Sequence, residues 1–170
     1  MAGGPWAGPV GTGRATEPSV SPHRGAAVPE TTETATVARP ADATFRYLAD
    51  FGNLAEWDPQ FDRSERLDDG PLGVGSRFEV EGSAAGKKFV LEMRIVTYDE
   101  PTHVVLQGTG DGIRTEEDIR VAPVEGGSEV TYHASFETDA PDWLDAAGQP
   151  IFTLVGKRTM SQLTDVLGEA

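Results

Sequence analysis

The chain has 170 residues, no cysteine, and 28 acidic against 14 basic side chains, a formal net charge of −14. That length suits one domain with a core that needs no covalent staples, and the missing cysteines exclude disulfides and thiolate metal sites. The acidic excess falls wholly in residues 31–170, because Arg14, Arg24, Glu17 and Glu30 cancel. Such a surface repels phosphate backbones and anionic lipid, so neither nucleic acid nor membrane insertion is expected.

Residues 1–30 are rich in Gly, Pro, Ala and Ser and show no hydrophobic period, which predicts a disordered tail ahead of a domain over 31–170. Trp6 and His23 in that tail read as a lone exposed aromatic and a histidine without a ligand role. The opening MAGGPWAGPVGTG has neither a basic n-region nor a continuous apolar h-region, and no stretch nears the ~20 apolar residues of a membrane span. A cytoplasmic protein is expected.

Thr31 to Ala38 alternates with β-branched residues and reads as a first strand. Pro40 then fixes φ at a helix start, and Phe45, Leu48 and Ala49 follow at helical spacing. Gly52 ends that helix, and Asn53 with Glu56 has the spacing of a capping box opening a one-turn helix through Trp57. Asp58-Pro59 stops it, since proline pushes the preceding residue out of the helical region. From Ser64 the period changes to two. Glu65–Asp68, Ser76–Gly82, Lys88–Tyr98, His103–Gly108, Ile113–Val121 and Glu129–Glu137 read as strands. Turns at Gly70–Gly75, Gly86, Pro101, Asp111-Gly112 and Gly126-Gly127 separate them, short enough for an antiparallel meander. Helical period returns at the C-terminus, where Phe152, Val155, Gly156, Met160, Leu163, Val166 and Leu167 trace one stripe. Pro150 marks a kink or the start of this helix, with Pro141 to Gly148 as a preceding helical turn.

The residues filling this order are Arg39-Pro40-Ala41, Phe45 through Asp50, Trp57-Asp58-Pro59, and Gly70-Pro71-Leu72-Gly73-Val74-Gly75. Tyr98-Asp99-Glu100-Pro101 and Gly126-Gly127-Ser128-Glu129-Val130 complete the set. With them the chain resembles the START-like (SRPBCC, helix-grip) superfamily, the polyketide cyclase/dehydrase and lipid-transport domains, over residues 32–168. The resemblance implies an α+β helix-grip fold: a curved antiparallel β-sheet wrapped around a long C-terminal helix, with two short helices after the first strand plugging one end. It further implies a cavity between sheet and helix, a hydrophobic small-molecule partner, and no cofactor. Phe45, Leu48, Leu54 and Trp57 would form the plug and gate.

The cavity is expected to be lined by Phe45, Leu48 and Trp57 from the short helices and by Phe89, Leu91 and Met93 from the longest strand. Tyr132 and Phe136 from the last strand and Phe152, Val155, Gly156 and Met160 from the final helix complete it. Trp57 is placed at the cavity mouth, with a structural plug as the other reading. Gly148 and Gly156 either leave space for a ligand or allow close packing on the sheet. The catalytic candidates are Tyr132, Glu117 and His103. Tyr132 shares a face with Val130, Ala134 and Phe136, where its hydroxyl needs either a ligand carbonyl or a backbone partner. Glu117 shares a face with Ile113, Thr115, Ile119 and Val121. As a cavity carboxylate it would have a raised pKa, but Glu116-Glu117-Asp118 also reads as a solvated acidic run, and a one-residue register change swaps the faces. His103 belongs at the rim of its strand and His133 points outward, neither with a partner at a telling spacing. Asp139, Asp142 and Asp145 lack metal-loop spacing and read as helix-start carboxylates. The function implied is binding of a hydrophobic small molecule. The alternatives are a polyketide cyclase or aromatase promoting aldol condensation and dehydration, and a protein-interaction module using the acidic outer sheet.

Overall fold

The computed structural model describes residues 29–84, 86–139 and 142–168, and of residues 84 and 142–152 the backbone alone. The expected tail, with Trp6 and His23, lies outside the described residues, as do Pro141 and the side chains of Phe152, Gly148, Asp142 and Asp145. In chain order the elements are β1 (Glu30–Val37), α1 (Ala41–Ala49), α2 (Leu54–Trp57), β2 (Phe61–Arg66), β3 (Arg77–Ala84), β4 (Lys87–Asp99), β5 (His103–Gly110), β6 (Ile113–Val124), β7 (Gly127–Thr138) and α3 (Asp142–Leu167). A 3₁₀ turn over Phe51–Asn53 joins α1 to α2.

The strands form one antiparallel sheet of seven in the order β1-β7-β6-β5-β4-β3-β2. Neighbours in sequence pair except β1, which crosses to β7, where Glu30 lies opposite Ser135 and Val37 opposite Ser128. Alternation sets the faces: in β4, Phe89, Leu91, Met93 and Ile95 are buried while Glu92 and Arg94 are exposed. Register shifts at Phe61/Arg63 and Ile95/Thr97 each add a residue to one strand, and such bulges bend and twist the sheet. The result is a curled half-barrel whose concave face receives α3. At the β5–β6 hairpin Asp111 and Gly112 both have positive φ, 50° and 74°, the demand of a tight two-residue turn.

Helix α3 lies along β1 and reaches α2, where Gln162 Nε2 donates to the Glu56 carbonyl at 2.8 Å. Its far end is tied to β1 by Ala38 N–H donating to Gly168 O at 2.9 Å. The buried positions among its described side chains are Gly156, Thr159, Met160, Leu163 and Leu167, one stripe at three- and four-residue steps. Phe45, Leu48, Leu54 and Trp57 are all at most 1% exposed and merge with Phe51 and Phe78 into one core.

Several expectations are corrected. β2 starts at Phe61, ahead of the Glu65 predicted, because Asp68 is drawn into the turn, accepting from Arg77 N–H at 2.6 Å. The Asn53–Glu56 capping box does not form. Asn53 Nδ2 donates to the Tyr47 carbonyl at 3.1 Å, Glu56 takes the Tyr47 hydroxyl at 2.5 Å, and Asp50 instead caps the 3₁₀ turn through Gly52 N–H. Pro150 neither starts nor divides α3, which is assigned continuously. Val166 is 39% exposed, and Thr159 takes an unforeseen place on the buried stripe. Among the described residues no helix is long and apolar enough to cross a membrane.

Candidate functional site

The site begins where α2 ends. Pro59 forces Asp58 out of the helix to φ −113°, ψ 108°, and the Asp58 side chain is fully buried. Its Oδ1 accepts from Gln60 N–H at 3.0 Å, an Asx turn, and from Gln60 Nε2 at 3.4 Å. Thr159 of α3, whose hydroxyl donates to Val155 O at 3.2 Å, lies beside the carboxylate, and Oδ2 has no hydrogen-bond partner. Burial outweighs these bonds and pushes Asp58 up to about 6.

Glu117 comes from the middle of β6. The pairing of Glu117 with Ala134 and of Ile119 with Tyr132 sets its side chain on the concave face, 5% exposed. The solvated-run reading is therefore wrong for Glu117, although Glu116 and Asp118 do lie on the outer face, hydrogen-bonded to Gln107 and His103. Thr115 Oγ1 lies 2.9 Å from Ser135 O and 3.3 Å from Glu117 Oε1, so its single proton serves one of them. Tyr132, 2% exposed on β7, has its phenol beside the Glu117 carboxyl, close enough that each shifts the other's proton affinity. Burial, helped by the charge of Asp58, pushes Glu117 up to about 8, and burial with the adjacent carboxyls raises Tyr132 well above the usual phenol range. Glu117 Oε2 has no partner. The Trp57 ring, fully buried, meets the rings of Tyr132 and Phe51 edge-on, each at 6.0 Å between centroids, and its Nε1 is also unpartnered.

Against these groups lies a cavity of about 20 Å³, lined by Thr31 of β1, Gln60, Phe61, Phe89, Leu91, Thr115, Glu117, Tyr132, Ala134, Phe136, Val155 and Gly156. That volume holds about one water. Of the lining expected from sequence, Phe89, Leu91, Tyr132, Phe136, Val155 and Gly156 are present. Phe45, Leu48, Trp57, Met93 and Met160 instead sit in the packed core around it, Trp57 walled in rather than at a mouth. Gly156 is settled in favour of close packing: a Cβ there would stand 2.6 Å from Thr31 Oγ1 and 2.8 Å from Thr31 Cγ2. Asp58, Thr159, Gln60 and Phe61 were not foreseen, and Thr115 was placed only as a neighbour of Glu117 on its face. The signal for Asp58 was its place before Pro59, which reads as a helix stop and says nothing of burial.

His103 is not part of this site. It lies on the outer face of β5, where Nε2 is 3.0 Å from Asp118 Oδ1 and Nδ1 is 3.8 Å from Asp99. His133 likewise faces out, at 2.8 Å from Thr32 Oγ1. Asp139 pairs with Arg114 at 3.2 Å. Among the described residues no three His, Asp or Glu side chains converge as metal ligands.

The fold has many solved counterparts. An aromatase/cyclase, ZhuI, from Streptomyces sp. R1128 superposes with a TM-score of 0.59 at 17% identity over 83% of this chain and 98% of its own. A START superfamily protein from Mycobacterium smegmatis gives 0.61 at 17% identity, over 81% of this chain and 93% of its own. A protein from Thermus thermophilus gives 0.62 at 17%, over 81% and 99%. At these identities the likeness is one of fold. No curated protein sequence matches the chain. The sequence pattern of the family described as polyketide cyclase/dehydrase and lipid transport does match, over residues 29–168. That match runs from the start of β1 to the end of α3, and the chain belongs to this START-like, helix-grip family.

Proposed function

We propose that the protein binds a hydrophobic small molecule between the curled sheet and α3. The observation that carries this reading is a buried carboxyl and phenol, Glu117 and Tyr132, set side by side in the wall of a largely apolar, aromatic cavity with Glu117 Oε2 unpartnered. Buried polar atoms are nearly always satisfied, so an unmet one in a cavity wall is an orienting group awaiting a partner. Apolar lining from Phe61, Phe89, Leu91 and Phe136 supplies affinity. Drug-sized ligands need roughly 300 Å³ or more, so binding enlarges the cavity by moving α3 away from β1, the contact made at Gly156 and Thr31. Titration with a fluorescent apolar probe tests this. Saturable micromolar binding is expected, weakened by Ala134→Val, which takes up the cavity; equal binding by that variant places the probe elsewhere.

A second reading, a cyclase or aromatase, is favoured by one specific feature. Asp58 at about 6 and Glu117 at about 8 are two interacting carboxyls pushed to opposite sides of neutrality. Near pH 7 the first is ionised and the second protonated; Glu117 lines the cavity as the acid that loss of water requires, and Asp58 lies behind it as the base. In this reading Glu117→Gln abolishes turnover of a poly-β-ketone while probe binding survives, and unchanged turnover removes Glu117 from the mechanism.

A further inference from the structure

The chemical class of the ligand follows from the charges the cavity lacks, an inference that rests on the ligand-binding reading above. Among the described lining residues there is no Lys, Arg or His. The polar groups are the Thr31 and Thr115 hydroxyls, the Gln60 amide, the Tyr132 phenol and the Glu117 carboxyl. Asp58, fully buried with Oδ2 unpartnered, is close enough to raise both Glu117 and Tyr132 through its charge. An anion entering such a site gives up its hydration, meets no cation in exchange, and faces the charge of Asp58. Glu117, pushed up to about 8, is neutral near pH 7 and presents a hydrogen bond there, not a charge, so an ammonium gains no ion pair from it.

We propose that the cavity selects apolar ligands whose polar end is uncharged and hydrogen-bonding, such as a phenol or alcohol, that Glu117 Oε2 contacts that end, and that carboxylates such as free fatty acids are excluded. Glu117 is then a specificity-determining residue. A carboxylic acid enters this site only as its neutral form. For a solution pKa near that of a glutamate side chain, that weakens apparent binding at pH 7.4 by about 10³-fold.

Calorimetric titration of the full chain at pH 7.4 with four probes of one skeleton tests the assignment: naphthalene, 2-naphthol, 2-naphthoate and 2-naphthylmethylammonium. The naphthol is expected to bind about tenfold tighter than naphthalene, the gain of one buried hydrogen bond. The naphthoate should bind about 10³-fold more weakly than the naphthol. Glu117→Leu should shrink the preference for naphthol over naphthalene to about twofold, a ratio that reads the hydrogen bond whatever the substitution does to the affinity for naphthalene itself. If that variant does not fold, the ¹³C carboxyl resonance of Glu117 in the wild-type chain reads the same contact, shifting with naphthol and not with naphthalene. Naphthoate or the ammonium binding as tightly as naphthol overturns the charge assignment while leaving the cavity a ligand site. An undiminished naphthol preference in Glu117→Leu overturns the role of Glu117. Binding of none of the four probes overturns the ligand-binding reading itself.

Discussion

Glu117 and Asp58 hold protons more tightly in the folded chain than their ordinary values of 4.5 and 3.8 allow, at about 8 and about 6. Both are carboxyls raised by burial, so between those limits the folded state binds more protons than the unfolded state, and stability falls as pH rises. Their contribution is complete below their unfolded values. It fades through about pH 6 for Asp58 and through about pH 8 for Glu117. Carboxylates held by ion pairs behave in the opposite sense. Urea unfolding at pH 5, 7 and 9 should therefore show the wild type losing stability across this range. Glu117→Gln, carrying no charge to bury, should lose less and become the more stable protein at pH 9. Parallel profiles would show that Glu117 is not held neutral inside. Glu117 is partly legible in the sequence, because alternation around Ile119 and Tyr132 narrows it to one of two faces, whereas nothing local reports the burial of Asp58. Only the strand register decides between the faces. His103 shows the limit from the other side: its carboxylate, Asp118, is supplied by the neighbouring strand, and no local spacing reports such a pair.

At the scale of elements, the strands and α3 were read from periodicity because their buried faces repeat at two and at three or four residues. Single-residue chemistry at the joints was less legible. The Asn53 and Glu56 side chains have partners on Tyr47 that compete with the capping box, and that competition depends on how α1 packs over α2. Gly156 carries a sharper consequence for α3. Replacing a helical glycine by alanine ordinarily gains roughly 1 kcal/mol. Here the added Cβ meets Thr31 at 2.6 and 2.8 Å, so Gly156→Ala should destabilise by about 1–3 kcal/mol, as overpacking does. Thr31→Ala removes the obstructing atoms. The double variant should recover most of the loss, and a double-mutant cycle with no coupling would show that α3 does not press on β1 at this point. Within the sheet, Leu91→Ala should cost about 2–5 kcal/mol, as truncation of a fully buried leucine does.

For the molecule as a whole, the family pattern starts at residue 29 and β1 at Glu30, with Phe136 N–H donating to Pro29 O at 3.0 Å. A chain beginning at Pro29 should therefore unfold within about 2–4 °C of the full chain, the equivalent of about 1 kcal/mol in a domain of this size. A larger fall would mean that residues 1–28 pack on the domain. The order of the strands has a temporal consequence as well. Every strand from β2 to β7 pairs with its neighbour in the chain, but β1 pairs only with β7, and the end of α3 fastens to the residue after β1. The strand made first therefore has no sheet partner until the last strand is made, and the helix that covers it is made later still. A loop spanning most of the domain must close before β1 is seated, the kind of long-range contact that slows folding. β1 is also the strand that bears Thr31 against the cavity and against Gly156. The cavity is thus closed where the first strand of the domain meets its final helix, so forming it requires the contact between the elements farthest apart in the described sequence.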